Sequence, residues 1–409
     1  MFVLLSSLAG LSLLIWIYLL VFRGGFWRCA QRPGGAIREP AVWPPVAIVV
    51  PARNEAAVIG ESLPTLLAQD YPGPFSAILV DDHSGDGTAE AALRAAGRED
   101  DGENDGENER LSLLQAPDLP AGWTGKLWAL EQGLRAAPQD CRYLWFSDAD
   151  IAQGPGALRW LVAKAETEAR DLVSLMVALR CEGFWERLLI PPFIYFFQKL
   201  YPFAWVNDPK KRDAAAAGGC ILVRREALQA AGGLNAIRGA LIDDCSLAAR
   251  IKAGCRPAGN GIWLGLATEA RSIRPYQGLS AIWTMVARTA YTQLRYNPLL
   301  LAATLLGMAL TYLAPPLLLL SAPWHHSAPA GAMAGFAWLL MGLSLMPTLR
   351  LYRQPLWLAP LLPLAAAFYS AMTCDSAWRH WRGVGGRWKG RTHTATASQD
   401  HSPVASSGR

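Results

Sequence analysis

The chain carries little charge for its size. Asp, Glu, Lys and Arg make up 17% of 409 residues, while 52% are hydrophobic and 17 are Trp. With a positive mean hydropathy, that is too apolar for a wholly soluble enzyme. The excess sits at the two ends, around a middle of ordinary globular composition from about Arg38 to Arg295. That middle is long enough for one large α/β domain with its own core. Cysteine is scarce: the seven residues include no Cys-X-X-Cys pair and no metal-ligand spacing. An odd number of scattered thiols points to a reducing compartment. No Gly-X-Gly-X-X-Gly follows the first strand-like run, which disfavours a dinucleotide-binding Rossmann domain. The net charge is +5, but its basic residues cluster beside the apolar segments. They read as membrane anchors rather than a nucleic-acid footprint.

What is present at the N-terminus is an unbroken apolar run, Phe2 to Phe22, close to the ~20 residues a transmembrane helix needs. No positive residue precedes it, whereas Arg23, Arg28 and Arg32 follow. That pattern predicts a permanent anchor (1–22), not a cleaved signal, with the start outside and the domain cytoplasmic. Residues 23–45, rich in Pro and Gly, form a linker. The catalytic-size domain spans 46–298, and C-terminal membrane segments fill 299–373. Ser321–Gly331 contains no Lys or Arg, whereas Arg350 and Arg353 mark a cytoplasmic loop. The tail, 374–409, is basic and then polar, and Arg379, Arg382, Arg387, Lys389 and Arg391 favour the cytoplasm as well. Three spans after the domain would put that tail outside. Pro360 and Pro363 interrupt the last apolar segment, so it is expected to be re-entrant or interfacial and covered by protein.

Within the middle, Val46–Val50, Ala77–Val80 and Tyr143–Phe146 read as buried strands separated by helical spacers. Ile59, Leu63, Leu66 and Leu67 lie at helical spacing in the first spacer. Right-handed crossovers and a mostly parallel sheet follow. Each strand ends in polar residues: Pro51-Ala52-Arg53-Asn54-Glu55, Asp81-Asp82-His83-Ser84, and Ser147-Asp148-Ala149-Asp150. Period-two geometry sends Asp148 and Asp150 to one side. Paired oxygens at a strand end suit a hard divalent cation that shares its other positions with phosphate. A bare Asp-rich turn is the competing reading. Asp82 could accept a uracil imide N–H or close an Asx turn. Thr124 is placed to cap a helix that carries Lys126 in its first turn, against the helix dipole. An anionic partner or a solvated lysine would each account for it. Ile242-Asp243-Asp244-Cys245 opens another helix, where carboxylates are stabilised whatever they do. Cys220 and Cys245 read as packing residues. Residues 99–109, a tandem Asp-Gly-Glu-Asn, read as an acidic flexible insertion. Residues 184–205 are aromatic and broken by Pro191-Pro192, fitting either an interfacial segment or a core helix pair. Trp283 to Tyr296 reads as an amphipathic helix bearing Arg288, Gln293 and Arg295.

The succession Pro-Ala-Arg-Asn-Glu, Asp-Asp-X-Ser-X-Asp-Gly-Thr, Gly-Lys, Asp-X-Asp and Asp-Asp resembles family 2 glycosyltransferases of the GT-A fold, from about Val46 to Arg295. The resemblance implies donor-binding roles for Pro51, Arg53, Glu55, Asp82, Lys126 and Asp148. It implies Mg²⁺ or Mn²⁺ on Asp148 and Asp150, and Asp244 as catalytic base beside Asp243, which stands where the family usually has Glu. Arg288 or Arg295 would add to the diphosphate clamp. Processive members carry Gln-X-X-Arg-Trp at the last helix. Here Thr292 replaces the Gln and Tyr296 follows Arg295, so a single-transfer enzyme is expected. Phe203–Pro209, Ala214–Cys220, Gly239–Cys245 and Met285–Tyr296 are similar to the hopene-associated glycosyltransferases of bacterial hopanoid clusters. That likeness implies a nucleotide-sugar donor, most simply a UDP-sugar, a hopanoid-type lipid acceptor, no nucleic-acid partner, and a multi-pass protein of the bacterial inner membrane.

Overall fold

The computed structural model describes residues 2–34, 37–97, 110–255 and 261–383, with the backbone of 387–388 and 391–392. The acidic insertion 99–109 and most of the basic tail lie outside the described residues. Eight strands form one sheet: β1 Val46–Ala52, β2 Phe75–Asp81, β3 Leu111–Gln115, β4 Tyr143–Phe146, β5 Ile151–Ala152, β6 Arg170–Ala178, β7 Ile221–Arg224 and β8 Gly261–Ser272. Their order is β3-β2-β1-β4-β7-β6-β8-β5. The β1–β2, β2–β3, β1–β4 and β6–β8 pairs are parallel. The β4–β7, β6–β7 and β5–β8 pairs are antiparallel. The sheet is therefore mixed, with most of its pairs parallel as expected. The antiparallel pairs are those made by β7, which lies between β4 and β6, and by the short edge strand β5.

Register decides where the chemistry lands. Val49 lies opposite Phe146 on β4, and Ala52 opposite Asp81 on β2. The carboxyl ends of three strands, each followed by its polar motif, thus come out along one edge. The two faces of the sheet alternate by residue, as strand geometry requires. Ala47, Val49, Leu144 and Phe146 pack on one side, and Val46, Ile48, Val50 and Trp145 on the other. Helix α2 (Ala56–Leu67) covers the second face with Ile59, Leu63 and Leu66. Helix α3 (Gly125–Ala136) covers the first with Leu127, Ala129 and Leu130. It lies so close that a Cβ on Gly133 would sit 2.3 Å from Val49 Cγ1.

Helix α4 (Phe184–Leu200) is continuous through Pro191 and Pro192. Ile194 joins the core of the α/β domain, while Leu188, Leu189, Ile190 and Tyr195 join a second core built by the apolar terminal helices. The helix is the joint between domain and bundle. Among the described residues four stretches are long and apolar enough to cross a membrane: α1 (Phe2–Phe22), α8 (Pro298–Leu320), α9 (Ala328–Leu351) and Leu356–Trp381. Two short helices, α6 (Gly278–Ala287) and α7 (Ala290–Gln293), precede α8, and α5 (Asp243–Cys255) lies within the domain. Trp16 of α1 donates to the Thr311 carbonyl at 2.8 Å, and Tyr195 shares a 2.7 Å bond with Ser344 of α9.

The fourth stretch turns back on itself. Leu356–Leu361 is a 3₁₀ segment beside α9, where Trp338 donates to the Pro360 carbonyl at 3.0 Å. Pro363 falls in the first turn of α10 (Leu362–Trp381), where proline is tolerated. Helix α10 then returns toward α6 and α7. Trp283 donates to Asp375 at 2.7 Å, and the Tyr291 N–H donates to Ser376 at 3.0 Å. The other end of the stretch follows Tyr352 and Gln354, which bond to the backbone of Leu179 and Cys181 in the α/β domain. Both ends thus lie at the domain end of the bundle. This folding-back brings Arg379 and Arg382 to the same end of the bundle as Arg350 and Arg353.

Two expectations follow. Gly133→Ala forces a methyl into the β1 side chains and should cost about 1–3 kcal/mol, read as a lowered midpoint of thermal unfolding. A topology reporter fused after Gly383 should report the same side as the α/β domain; a signal from the opposite side would mean four crossings.

Candidate active site

Thr124 has extended backbone, and its side chain accepts from Leu127 N–H at 3.3 Å, capping α3. The cap fixes the first turn, and the turn aims Lys126 across the edge of the sheet. Its Nζ lies 2.7 Å from Asp148 Oδ1 and 3.5 Å from Asp243 Oδ2. Burial and the helix dipole both oppose a charge there. The carboxylates of Asp148, Asp243 and Asp244 outweigh them and hold the lysine pKa above its ordinary value. Lys126 is not a solvated surface residue; it is the centre of an acidic cradle.

Asp244 opens α5. Its two carboxylate oxygens accept from Gly218 N–H at 3.0 Å and Cys245 N–H at 2.7 Å. Burial, then the like charge of Asp243, pushes its pKa up to about 6, against the pull of Lys126 and the two N–H donors. Gly218 is required by the close approach: a Cβ would meet Lys126 Nζ at 2.9 Å, Asp244 Oδ2 at 3.6 Å and Asp148 Oδ2 at 3.8 Å. Its missing side chain leaves the space between these groups open. Pro51, Ser147, Asp148, Gly218, Asp243, Asp244 and Lys126 line one cleft with an apolar floor that includes Phe146 and Leu247. Cys245 and Cys220 are buried, and burial pushes both thiols up, Cys220 to about 12. Neither is a thiolate nucleophile.

The other motifs line up beside this cleft. Arg53 pairs with buried Asp82 at 3.4 Å. Asn54 and Ser84 lace the loops after β1 and β2 together: Asn54 N–H donates to Ser84 Oγ at 2.9 Å, and Gly85 N–H donates to Asn54 Oδ1 at 3.0 Å. Asp81, not Asp82, accepts from the Ser84 N–H, so the Asx-type turn and the Arg53 pair are divided between neighbours. Asp150 stands away from Lys126. Its Oδ2 lies 3.1 Å from Arg274 Nε and accepts from Ser272 at 3.0 Å, and Arg274 also pairs with Glu55.

Three expectations need correction. Asp148 and Asp150 lie beyond β4 in a turn closed by Ile151 N–H to the Asp148 carbonyl at 3.2 Å, so strand alternation does not set their directions, and each carboxylate has its own cation. Arg288 and Arg295 are exposed and lie outside the lining of this cleft, as do Arg53, Glu55, Asp82 and Asp150, and Arg288 stands near Tyr276 on the Asp150 side. Gly218, Ser272 and Arg274 were not foreseen as site residues. Gly218 carried a faint signal in its Gly-Gly pair, whereas Arg274 carried none, since only the course of β8 brings it to Asp150.

Among the described residues no group of three or more His, Cys, Asp or Glu side chains is arranged to hold a metal by itself. The carboxylates of Asp148 and Asp150, paired here with Lys126 and Arg274 respectively, are hard oxygen donors. As donor types they fit a Mg²⁺- or Mn²⁺-type ion whose remaining ligands are phosphate oxygens.

Residues 47–232 match the model described as glycosyl transferase family 2. No curated protein matches the chain. Among solved structures, a mannosyltransferase from Pyrobaculum calidifontis, in complex with GDP-Man and Mn²⁺, aligns over 92% of this chain and 99% of its own at 21% identity and a TM-score of 0.51. Glucosyl-3-phosphoglycerate synthase from Mycobacterium tuberculosis, in complex with Mn²⁺ and uridine-diphosphate-glucose, aligns over 61% of this chain and 79% of its own at 20% identity and a TM-score of 0.37. The S. aureus protein TarS aligns over 60% of this chain and 39% of its own at 16% identity and a TM-score of 0.39. The α/β domain has the GT-A fold, and residues 47–232 within it are similar to the glycosyl transferase family 2 model.

Proposed function

We propose that this protein is a membrane-bound inverting glycosyltransferase that moves a sugar from a UDP-sugar to a lipid, a hopanoid or hopanoid precursor, at the cytoplasmic face of a bacterial inner membrane. The observation that carries the reading is the convergence of Lys126, Asp148, Asp243 and Asp244 on the space left by Gly218, at the carboxyl ends of β1 and β4. Open α/β sheets bind their ligands at such edges.

In this mechanism Pro51, Arg53, Glu55 and Asp82 surround the nucleotide, and Asp148 and Asp150 hold the divalent cation. That cation, when bound, neutralises the charge that develops on the leaving diphosphate. Lys126, charged and aimed into the cleft, adds a fixed positive group beside it. The proton of the acceptor hydroxyl passes to Asp244 as its oxygen bonds to the anomeric carbon, and the bond from that carbon to the diphosphate oxygen breaks on the opposite face. Two N–H donors orient the Asp244 carboxylate, and its raised pKa puts its basicity nearer neutral pH, where a general base works best. For the acceptor, support comes from the contact between site and bundle. Gln293 of α7 donates to Tyr201 at 2.7 Å, and burial followed by neighbouring Cys245 holds the Tyr201 hydroxyl above its ordinary pKa. A rigid polycyclic lipid lying along the bundle would lose little conformational entropy on docking.

The base assignment gives a pH signature. Asp244 must be ionised to accept a proton, so kcat/KM should fall about tenfold per pH unit below roughly pH 6. Asp243→Asn removes the neighbouring like charge and should move that limb to lower pH. An acid limb that stays in place, with Asp244→Asn still fully active, would rule Asp244 out. The reaction itself is tested with purified protein, Mn²⁺ and a panel of nucleotide sugars against extracted membrane lipids. Asp150→Ala and Asp244→Asn should each lower turnover about 10²-fold or more while the protein still inserts. Deleting the gene in a hopanoid-producing host should remove a glycosylated hopanoid or accumulate its precursor; loss of another glycolipid would assign the acceptor elsewhere.

A further inference from the structure

Arg274 lies between β8 and α6, at the start of a strap that leads from the sheet to the bundle. Its Nε is 3.1 Å from Asp150 Oδ2, and a terminal nitrogen pairs with Glu55 Oε2. The strap is pinned on both sides of it. Ser272 Oγ donates to the same Asp150 oxygen at 3.0 Å, and Ile273 N–H donates to the Asp150 carbonyl at 2.9 Å. Tyr276 N–H donates to Glu186 Oε1 at 3.0 Å, and the other oxygen of Glu186 accepts from Glu182 and Gly183 N–H at 2.8 Å, at the start of α4. Burial opposes the Arg274 charge, but Asp150 and Glu55 outweigh it and raise its pKa.

Asp150 and Glu55 come from different motifs and are brought within reach of one guanidinium. Two carboxylates so placed repel unless a cation stands between them. Arg274 is that cation, and with Ser272 it occupies one of the two Asp150 carboxylate oxygens. We infer that Arg274 is a positioning residue that stands in for the donor's divalent cation between Asp150 and Glu55, and transfers to the donor diphosphate when nucleotide and cation enter together. The inference rests on the proposed role of Asp150 as a metal ligand. A diphosphate offers the guanidinium a planar, two-pronged anionic partner in exchange for the carboxylates it gives up. A cation arriving alone offers no such exchange, so cation and nucleotide affinities become linked, each raising the other.

The test is Mn²⁺ binding to the full-length protein in detergent, read from the electron paramagnetic resonance of free Mn²⁺, with and without UDP. In the wild type, UDP should tighten Mn²⁺ binding. In Arg274→Ala, Mn²⁺ alone should bind about tenfold more tightly and the gain from UDP should shrink by a similar factor. Arg274→Gln serves the same purpose if the alanine variant does not insert. Mn²⁺ affinity lowered in both conditions, or unchanged in both, overturns the inference. Asp150→Asn separates the two levels. If it binds Mn²⁺ as well as the wild type, the metal assignment itself fails; if it loses Mn²⁺ while Arg274→Ala leaves binding unaltered, only the role of Arg274 fails.

Discussion

The structure turns on one half-buried cation. Lys126 enters the first turn of α3, where the helix dipole disfavours it, and is kept charged by Asp148 and Asp243 at 2.7 and 3.5 Å. Those acids belong to separate elements: one follows β4, the other opens α5. Without the lysine, Asp148, Asp243 and Asp244 would crowd like charges into one cleft. Without the acids, a desolvated ammonium would not stay protonated cheaply. The fold makes this possible through small residues. Gly133 lets α3 lie directly on Val49, and Gly218 lets the turn before β7 pass between Lys126 and Asp244. The polar cluster and the close packing are therefore one constraint, met at two depths.

The second constraint is the membrane-like bundle against which the domain is built. Helix α4 gives one face to the α/β core and the other to Trp16, Tyr312 and Met341. Its capping acid Glu186 also holds the strap that carries Arg274. Near Asp244, Ser376 of α10 accepts from Tyr291, two residues from Gln293, which in turn donates to Tyr201 beside Cys245 and Asp244. The Asp150 end and the Asp244 end of the cleft are thus each in unbroken contact with bundle helices.

Much of this was legible in the sequence because it is local. The strands at Val46, Ala77 and Tyr143, the Thr124 cap, the helix opening at Asp243 and the first apolar helix all follow from nearest-neighbour patterns. What was not legible depends on long-range register. Strand β7 slots antiparallel between β4 and β6, and that makes the sheet mixed. The directions of Asp148 and Asp150 are set by a turn past the strand end, where alternation no longer holds. Arg274 reaches Asp150 only because β8 runs beside β6 and pairs with β5 through Ser272 and Ile151. No window of sequence around Arg274 contains that fact.

The return of α10 decides which side chains stand at the domain end of the bundle. The 3₁₀ segment before it is anchored to α9 through the Pro360 carbonyl, which accepts from Trp338, and through buried Leu358 and Ala359, although Pro360 itself is exposed. That local satisfaction lets Leu356–Trp381 end where it began, at the α/β domain, with Trp378 and Trp381 exposed beside Leu301. A straight crossing would have carried these aromatics to the far end of the bundle, away from α7. Folded back, they stand exposed at the domain end of the bundle, the end that also carries α7, whose Gln293 donates to Tyr201. The chain thus reaches the α/β domain three times from its C-terminal apolar part: through the start of α8, the end of α9 and the end of α10. Each return is held by a side-chain bond of its own, and the position of α7 depends on all three.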